Sequence, residues 1–208
     1  AQEVATIGAN YSFDGTVRIW DARSGNLIRT LGEYEGTVEC VAFSPDGSLV
    51  AAGGESRTVR FWRVDTGELV SVLEGHSDWV NSLAFSPSGK QLASVGSFSD
   101  VTVRVWNLES KQPEFVLKGF GGYSGITQRS MVTGSGRANC VRFTPDGLRL
   151  ALGTADRTVK LFDVISGQEM CTFSTGQVTQ IYTLAFSPNG KIMATGSEDG
   201  TIRLFRGE

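Results

Sequence analysis

The 208 residues include 22 acidic and 19 basic side chains for a formal charge of −3, with the two signs interspersed, so no basic run marks a phosphate-tracking surface. No apolar stretch approaches the roughly 18 residues of a membrane span, and the opening AQEVATIGAN lacks a charged segment followed by an apolar one, so a cytoplasmic location is expected. Hydrophobic residues make up 40% of the chain, and 26 Gly against 5 Pro separate clusters of β-branched and aromatic residues, as many tight turns between short strands require.

Along the chain, Thr16 opens the segment TVRIWD, which returns as TVRFWRV from Thr58, TVRVWNL from Thr102, TVKLFDV from Thr158 and TIRLFR from Thr201. The starts are 42, 44, 56 and 43 residues apart. A second segment precedes all but the first of these by about 20 residues: VAFSPDG from Val41, LAFSPSG from Leu83, VRFTPDG from Val141 and LAFSPNG from Leu184. A third, SGN, TGE or SGQ at Ser24, Thr66 and Ser166, follows the first by a few residues. Each period holds four strand-length runs, which in the second repeat fall at about 37–44, 49–54, 58–64 and 69–75. Ser-Pro-Asp-Gly between the first two is turn chemistry, with Pro presetting φ and Gly permitting φ > 0.

These segments resemble the tryptophan-aspartate (WD) repeat family over nearly the whole chain, apart from about residues 120–137. The resemblance implies an all-β propeller of about five four-stranded blades, at about 5–35, 36–76, 77–119, 137–176 and 177–206, with an insertion at 120–136. The first and last blades are incomplete, and because rings of this family typically carry seven blades, membership of a larger ring is expected. In the family, a His, a Ser or Thr, an Asp and a Trp form a buried hydrogen-bonded group. Carried over to this chain, only His76, Ser94, Asp100 and Trp106 complete it, whereas Ala52, Leu152, Phe162 and Phe205 stand at corresponding positions elsewhere. The Ser, His and Asp therefore read as a structural network and not a hydrolytic triad.

Cys40, Cys140 and Cys171 are odd in number and show no Cys-x-x-Cys spacing, which fits neither a disulfide framework nor a zinc site. Cys40, Ser82, Cys140 and Thr183 hold one place in the repeat, so Cys40 and Cys140 are expected in the core. GFGGYSG is followed by neither Lys-Ser nor Lys-Thr, which argues against a phosphate loop. No cofactor or metal is expected.

The repeats differ from one another on one side only. Turns between first and second strands are uniform (SPDGS, SPSGK, TPDGL, SPNGK), whereas second-to-third connections vary: Ala52 to Trp62 spans ten steps and Ser94 to Trp106 twelve. The longest departure, GFGGYSGITQRSMVTGSGR from Gly119, joins a fourth strand to the next first strand. Both kinds of connection leave an up-and-down blade at the same end, and a variable face is where repeat proteins bind. Partner-binding candidates there are Tyr34, Trp79, Asn81, Phe98, Phe120, Tyr123, Arg129, Arg137, Asn139 and Tyr182, with the aromatic rings expected to be exposed. The expected function is a scaffold or sensor that holds proteins or peptides, within a multi-protein complex or a longer chain; a nucleic-acid reader and an enzyme are the alternatives.

Overall fold

The structure, a computed structural model, describes residues 3–7, 15–32, 34–118 and 137–207. These residues form eighteen strands and no helix, in five antiparallel sheets. The first sheet has β1 (Glu3–Ile7), β2 (Val17–Asp21) and β3 (Leu27–Leu31). The second has β4 (Val38–Phe43), β5 (Leu49–Gly54), β6 (Val59–Arg63) and β7 (Leu69–Leu73). The third is β8 (Val80–Phe85), β9 (Gln91–Gly96), β10 (Val103–Asn107) and β11 (Gln112–Leu117). The fourth is β12 (Ala138–Phe143), β13 (Arg149–Thr154), β14 (Thr158–Asp163) and β15 (Glu169–Ser174). The last has β16 (Ile181–Phe186), β17 (Ile192–Ser197) and β18 (Ile202–Arg206). Within each sheet the strands lie in chain order, which makes every sheet an up-and-down propeller blade.

Blades pack face to face in sequence order. The first strands β4, β8, β12 and β16 lie side by side, and β8 and β16 also pack on the second strands β5 and β13 of the blades before them. Period-two alternation supplies both faces: in β6, Val59 and Phe61 join Val80 and Leu83 of the following blade, while Trp62 joins Val17 and Ile19 of the preceding one. Burying one such Val, Ile or Phe contributes about 1.5–3 kcal/mol, so neighbours, not the blade itself, supply most of its stability. The last blade shows the counterexample. Ile202 and Leu204 are 75% and 68% exposed, whereas the residues in their register in β6, Val59 and Phe61, are 0% and 2% exposed.

Steric complementarity sets the spacing between blades. A Cβ on Gly153 would lie 2.6 Å from Cys140 Sγ and 2.7 Å from Ile181 Cγ2 of the next blade, and one on Gly53 would lie 2.7 Å from Val80 Cγ1. Where the second strand instead carries Val95, the following blade presents Ala138, and the two share one core cluster. Small faces large at each of these three junctions. Cys140 is buried and Cys40 partly so, the Cys40 thiol approaching Val80 O at 3.3 Å; burial raises both thiol pKa values. Cys171 is exposed on β15.

This packing yields a double-mutant prediction. Gly153→Val should cost about 1–3 kcal/mol through overpacking, and Ile181→Ala about 2–5 kcal/mol through a cavity. Because the new methyls enter the space Ile181 vacates, the double variant should unfold at a higher denaturant concentration than additivity predicts. Strict additivity would contradict the proposed fit.

Candidate binding site on the loop face

The blade with the complete polar set is built around His76. Its Nδ1 lies 2.5 Å from Asp100 Oδ2 and its Nε2 2.6 Å from Ser94 Oγ, which also accepts from Trp106 Nε1 at 2.8 Å. Burial alone would raise the Asp100 pKa, but hydrogen bonds from His76, Thr102 Oγ1 and the Ser77 amide outweigh it and hold the carboxyl below the usual range. An ionised Asp100 only accepts, so Nδ1 donates to it, and in the neutral imidazole Nε2 then accepts from Ser94. Ser94 is fully buried beneath Trp106, leaving its oxygen no access to a substrate.

Two other blades fill the His76 place differently. Tyr34 is 3% exposed and packs with Val17, Ile19 and Val38, its hydroxyl donating to Thr58 O at 2.9 Å. The sequence expectation of an exposed, partner-contacting Tyr34 is thereby corrected: four residues before the strand-opening Val38, it occupies the position His76 holds before Val80. Gln177, four residues before Ile181, accepts from Thr195 Oγ1 at 2.7 Å and donates to Thr201 O at 2.9 Å. Sequence reading missed this substitute network, although counting back from the first strand would have found it.

The other candidates divide. Phe120, Tyr123 and Arg129, with the rest of the 120–136 insertion, lie outside the described residues. Trp79, Asn81, Phe98, Arg137, Asn139 and Tyr182 line one cavity of about 340 Å³, together with Glu39 and Ser97. Trp79, Phe98 and Tyr182 are 37%, 61% and 48% exposed, while Asn139 is buried.

Four of these residues share a backbone cause. Pairing of first with second strands shifts register between Val38 and Cys40, Val80 and Ser82, Ala138 and Cys140, and Ile181 and Thr183. The extra residue at each shift is Glu39, Asn81, Asn139 or Tyr182. A β-bulge re-aims the side chain it carries, and here four bulges from successive blades supply four residues of one cavity. Glu39 was missed in the sequence because strand patterns do not show bulges; its place one residue before Cys40, like Asn81 before Ser82, was the available signal.

Hydrogen bonds hold the rest. Trp79 O accepts from the Ser97 amide at 2.8 Å, and Asp78 Oδ2 accepts from the Ser99 amide at 2.8 Å, tying the loop bearing Trp79 to the turn bearing Phe98. The Arg137 guanidinium sits 4.0 Å from the Phe98 ring centre, and its Nε donates to Asn139 Oδ1 at 3.1 Å. Asn139 Nδ2 donates in turn to Ile181 O at 3.0 Å. Among the described connections on this face, Glu35, Glu55, Glu74, Asp78, Asp156, Glu198 and Asp199 outnumber Arg57, Lys118, Arg137 and Arg157.

The fold and this cavity define a β-propeller whose variable face presents a half-polar, aromatic-lined pocket. A family model described as "WD domain, G-beta repeat" matches residues 25–63, 67–107, 127–163 and 167–206, more than half of the sequence, and the chain belongs to the WD-repeat family. The chain is similar to the F-box-like/WD repeat-containing protein TBL1X of Mus musculus, 54% identical over 39 residues. It is also similar to the uncharacterized WD repeat-containing protein sll1491 of Synechocystis, 50% identical over 40 residues. Each match covers 19% of this chain and only 7% and 12% of those relatives.

Two outcomes follow for the His76 network. His76→Ala leaves Ser94 and Asp100 without their shared partner and should lower stability by about 1–3 kcal/mol in denaturant unfolding. An unchanged midpoint would refute the role assigned to it. Because the folded-state pKa of Asp100 is depressed, its stabilisation is complete above the unfolded value of about 4 and is lost as pH falls through the folded one. The stability gap between wild type and Asp100→Asn should therefore narrow below about pH 4; a gap that widens on acidification would contradict this.

Proposed function

We propose that the chain is a protein-interaction scaffold that holds partner proteins or peptides at the Trp79, Phe98 and Tyr182 cavity on its loop face. The observation carrying this reading is convergence: three exposed aromatic rings and four bulge residues from successive blades meet in one concavity of about 340 Å³. Large amphipathic rings bury much area at small entropic cost, which is why they anchor interfaces. Membership of a multi-protein complex, or of a longer polypeptide completing a seven-bladed ring, belongs to the same proposal; the exposed Ile202 and Leu204 suit a further blade there. No helix among the described residues is long and apolar enough to cross a membrane, and the three unpaired thiols suit the proposed cytoplasmic location. The acidic majority among the described connections of this face disfavours a nucleic-acid backbone as ligand.

Random-peptide display on the immobilised chain tests the proposal. Selected peptides should lose about tenfold or more in affinity for Trp79→Ala or Tyr182→Ala proteins whose melting midpoints match wild type. Peptides that bind all three proteins equally would place the binding surface elsewhere.

A further inference from the structure

We infer that the partner segment entering this cavity presents a positively charged side chain, received by Glu39 and the faces of Trp79 and Tyr182. The inference rests on the binding reading above and adds the chemistry of the ligand.

Glu39 comes from β4, two blades away from the β12 blade that carries Arg137, and its bulge brings it to the cavity wall. Its carboxylate is exposed and makes no hydrogen bond or ion pair with a described residue. The cavity's own cation differs in this respect. Arg137 is spread over the Phe98 ring at 4.0 Å and tethered through Nε to Asn139, so its guanidinium is held against the wall and not against Glu39. Glu39 is thus the one carboxylate in the cavity lining, and no described residue pairs it. Among the described residues of the surrounding connections, carboxylates outnumber cations, which favours a cation as the incoming group.

The aromatic walls point the same way. Elsewhere in this chain, rings near a cation take an arginine: Arg60 lies 5.5 Å from the Tyr34 ring centre and Arg104 5.8 Å from that of Trp106. Among the described residues no such cation stands against Trp79 or Tyr182, which line the cavity, and none hydrogen-bonds the carboxamide that Asn81 adds there. A guanidinium or ammonium stacked on Trp79 would gain cation–π attraction while its hydrogens reach Glu39 and Asn81. An acidic side chain beside Trp79 would instead face the like charge of Glu39.

The peptides obtained by display on wild-type protein provide the test, repeated with Glu39→Gln, an exposed substitution checked by its melting midpoint. Wild-type selections should be enriched in Arg or Lys. The best synthetic peptide should bind about three- to tenfold more weakly to Glu39→Gln, and should lose a similar factor when its cation is replaced by the neutral isostere citrulline. Binding should also weaken from 50 to 300 mM NaCl. Enrichment in Asp or Glu, or equal affinity for Glu39→Gln and wild type, overturns the inference. If affinity depends on Trp79 but not on Glu39, the charge assignment falls and the binding site stands; if it depends on neither, both fall.

Discussion

Each blade here is a single sheet, apolar on both faces, and it can be stable only while other blades cover those faces. From that one constraint come the repeat length, the packing order and the size rule between blades. A strand such as LVAAGG in β5, with Val50, Ala51 and Ala52 all fully buried, could not stand as a half-exposed sheet with one wet face. Gly53 opposite Val80, and Val95 in one cluster with Ala138, show that the covering is fitted side chain by side chain. Blade spacing is consequently rigid, since a methyl group added at Gly153 meets Ile181 at once.

Rigid spacing is also what gives the loop face its geometry. The first strands lie side by side, so a bulge repeated at the same place in each recurs at a fixed interval across the face. Glu39, Asn81, Asn139 and Tyr182 differ in chemistry while sharing a backbone position. A repeated scaffold thereby offers four independent choices of side chain to one cavity. Substitution at Glu39, Asn81 or Tyr182 changes what the cavity offers without touching the core clusters, whereas Asn139 is buried and bonded to Ile181 O of the next blade.

The blades were legible in the sequence because each is announced by local chemistry. Turns of the Ser-Pro-Asp-Gly type and Thr-Val-Arg-Ile-Trp-like alternation recur from repeat to repeat, and the four runs read in the second repeat match β4 to β7 within one or two residues at each end. The location of variable connections on one face was legible for the same reason. Tyr34 was misread because an aromatic residue in a connecting loop looks like a surface residue; only its distance from Val38 shows that it fills the His76 place. Glu39 and the Gln177 network went unseen because a bulge is a matter of register, and because glutamine can satisfy the same donors and acceptors as histidine without resembling it in the repeat pattern.

The complete polar network lies in the blade that gives Trp79, Asn81 and Phe98 to the cavity, and the hydrogen bonds explain why that matters. Asp100 closes the turn that carries Phe98 and accepts from the Ser77 amide of the loop that carries Trp79. His76, held by Asp100 and Ser94, anchors that loop from below. Asp78 makes a second tie between loop and turn above it. Phe98 is mostly exposed and Trp79 about a third so, and neither belongs to a core cluster that would fix where it stands. Buried charge-assisted bonds do so instead, at a place where a loosely held ring would have to be ordered on binding at the cost of affinity. A blade that kept the same apolar core but replaced the network with alanine and leucine, as Ala52 and Leu152 do in its neighbours, would remain a blade. It would hold its two aromatic walls less firmly, and the network therefore serves the position of the site as much as the stability of the sheet.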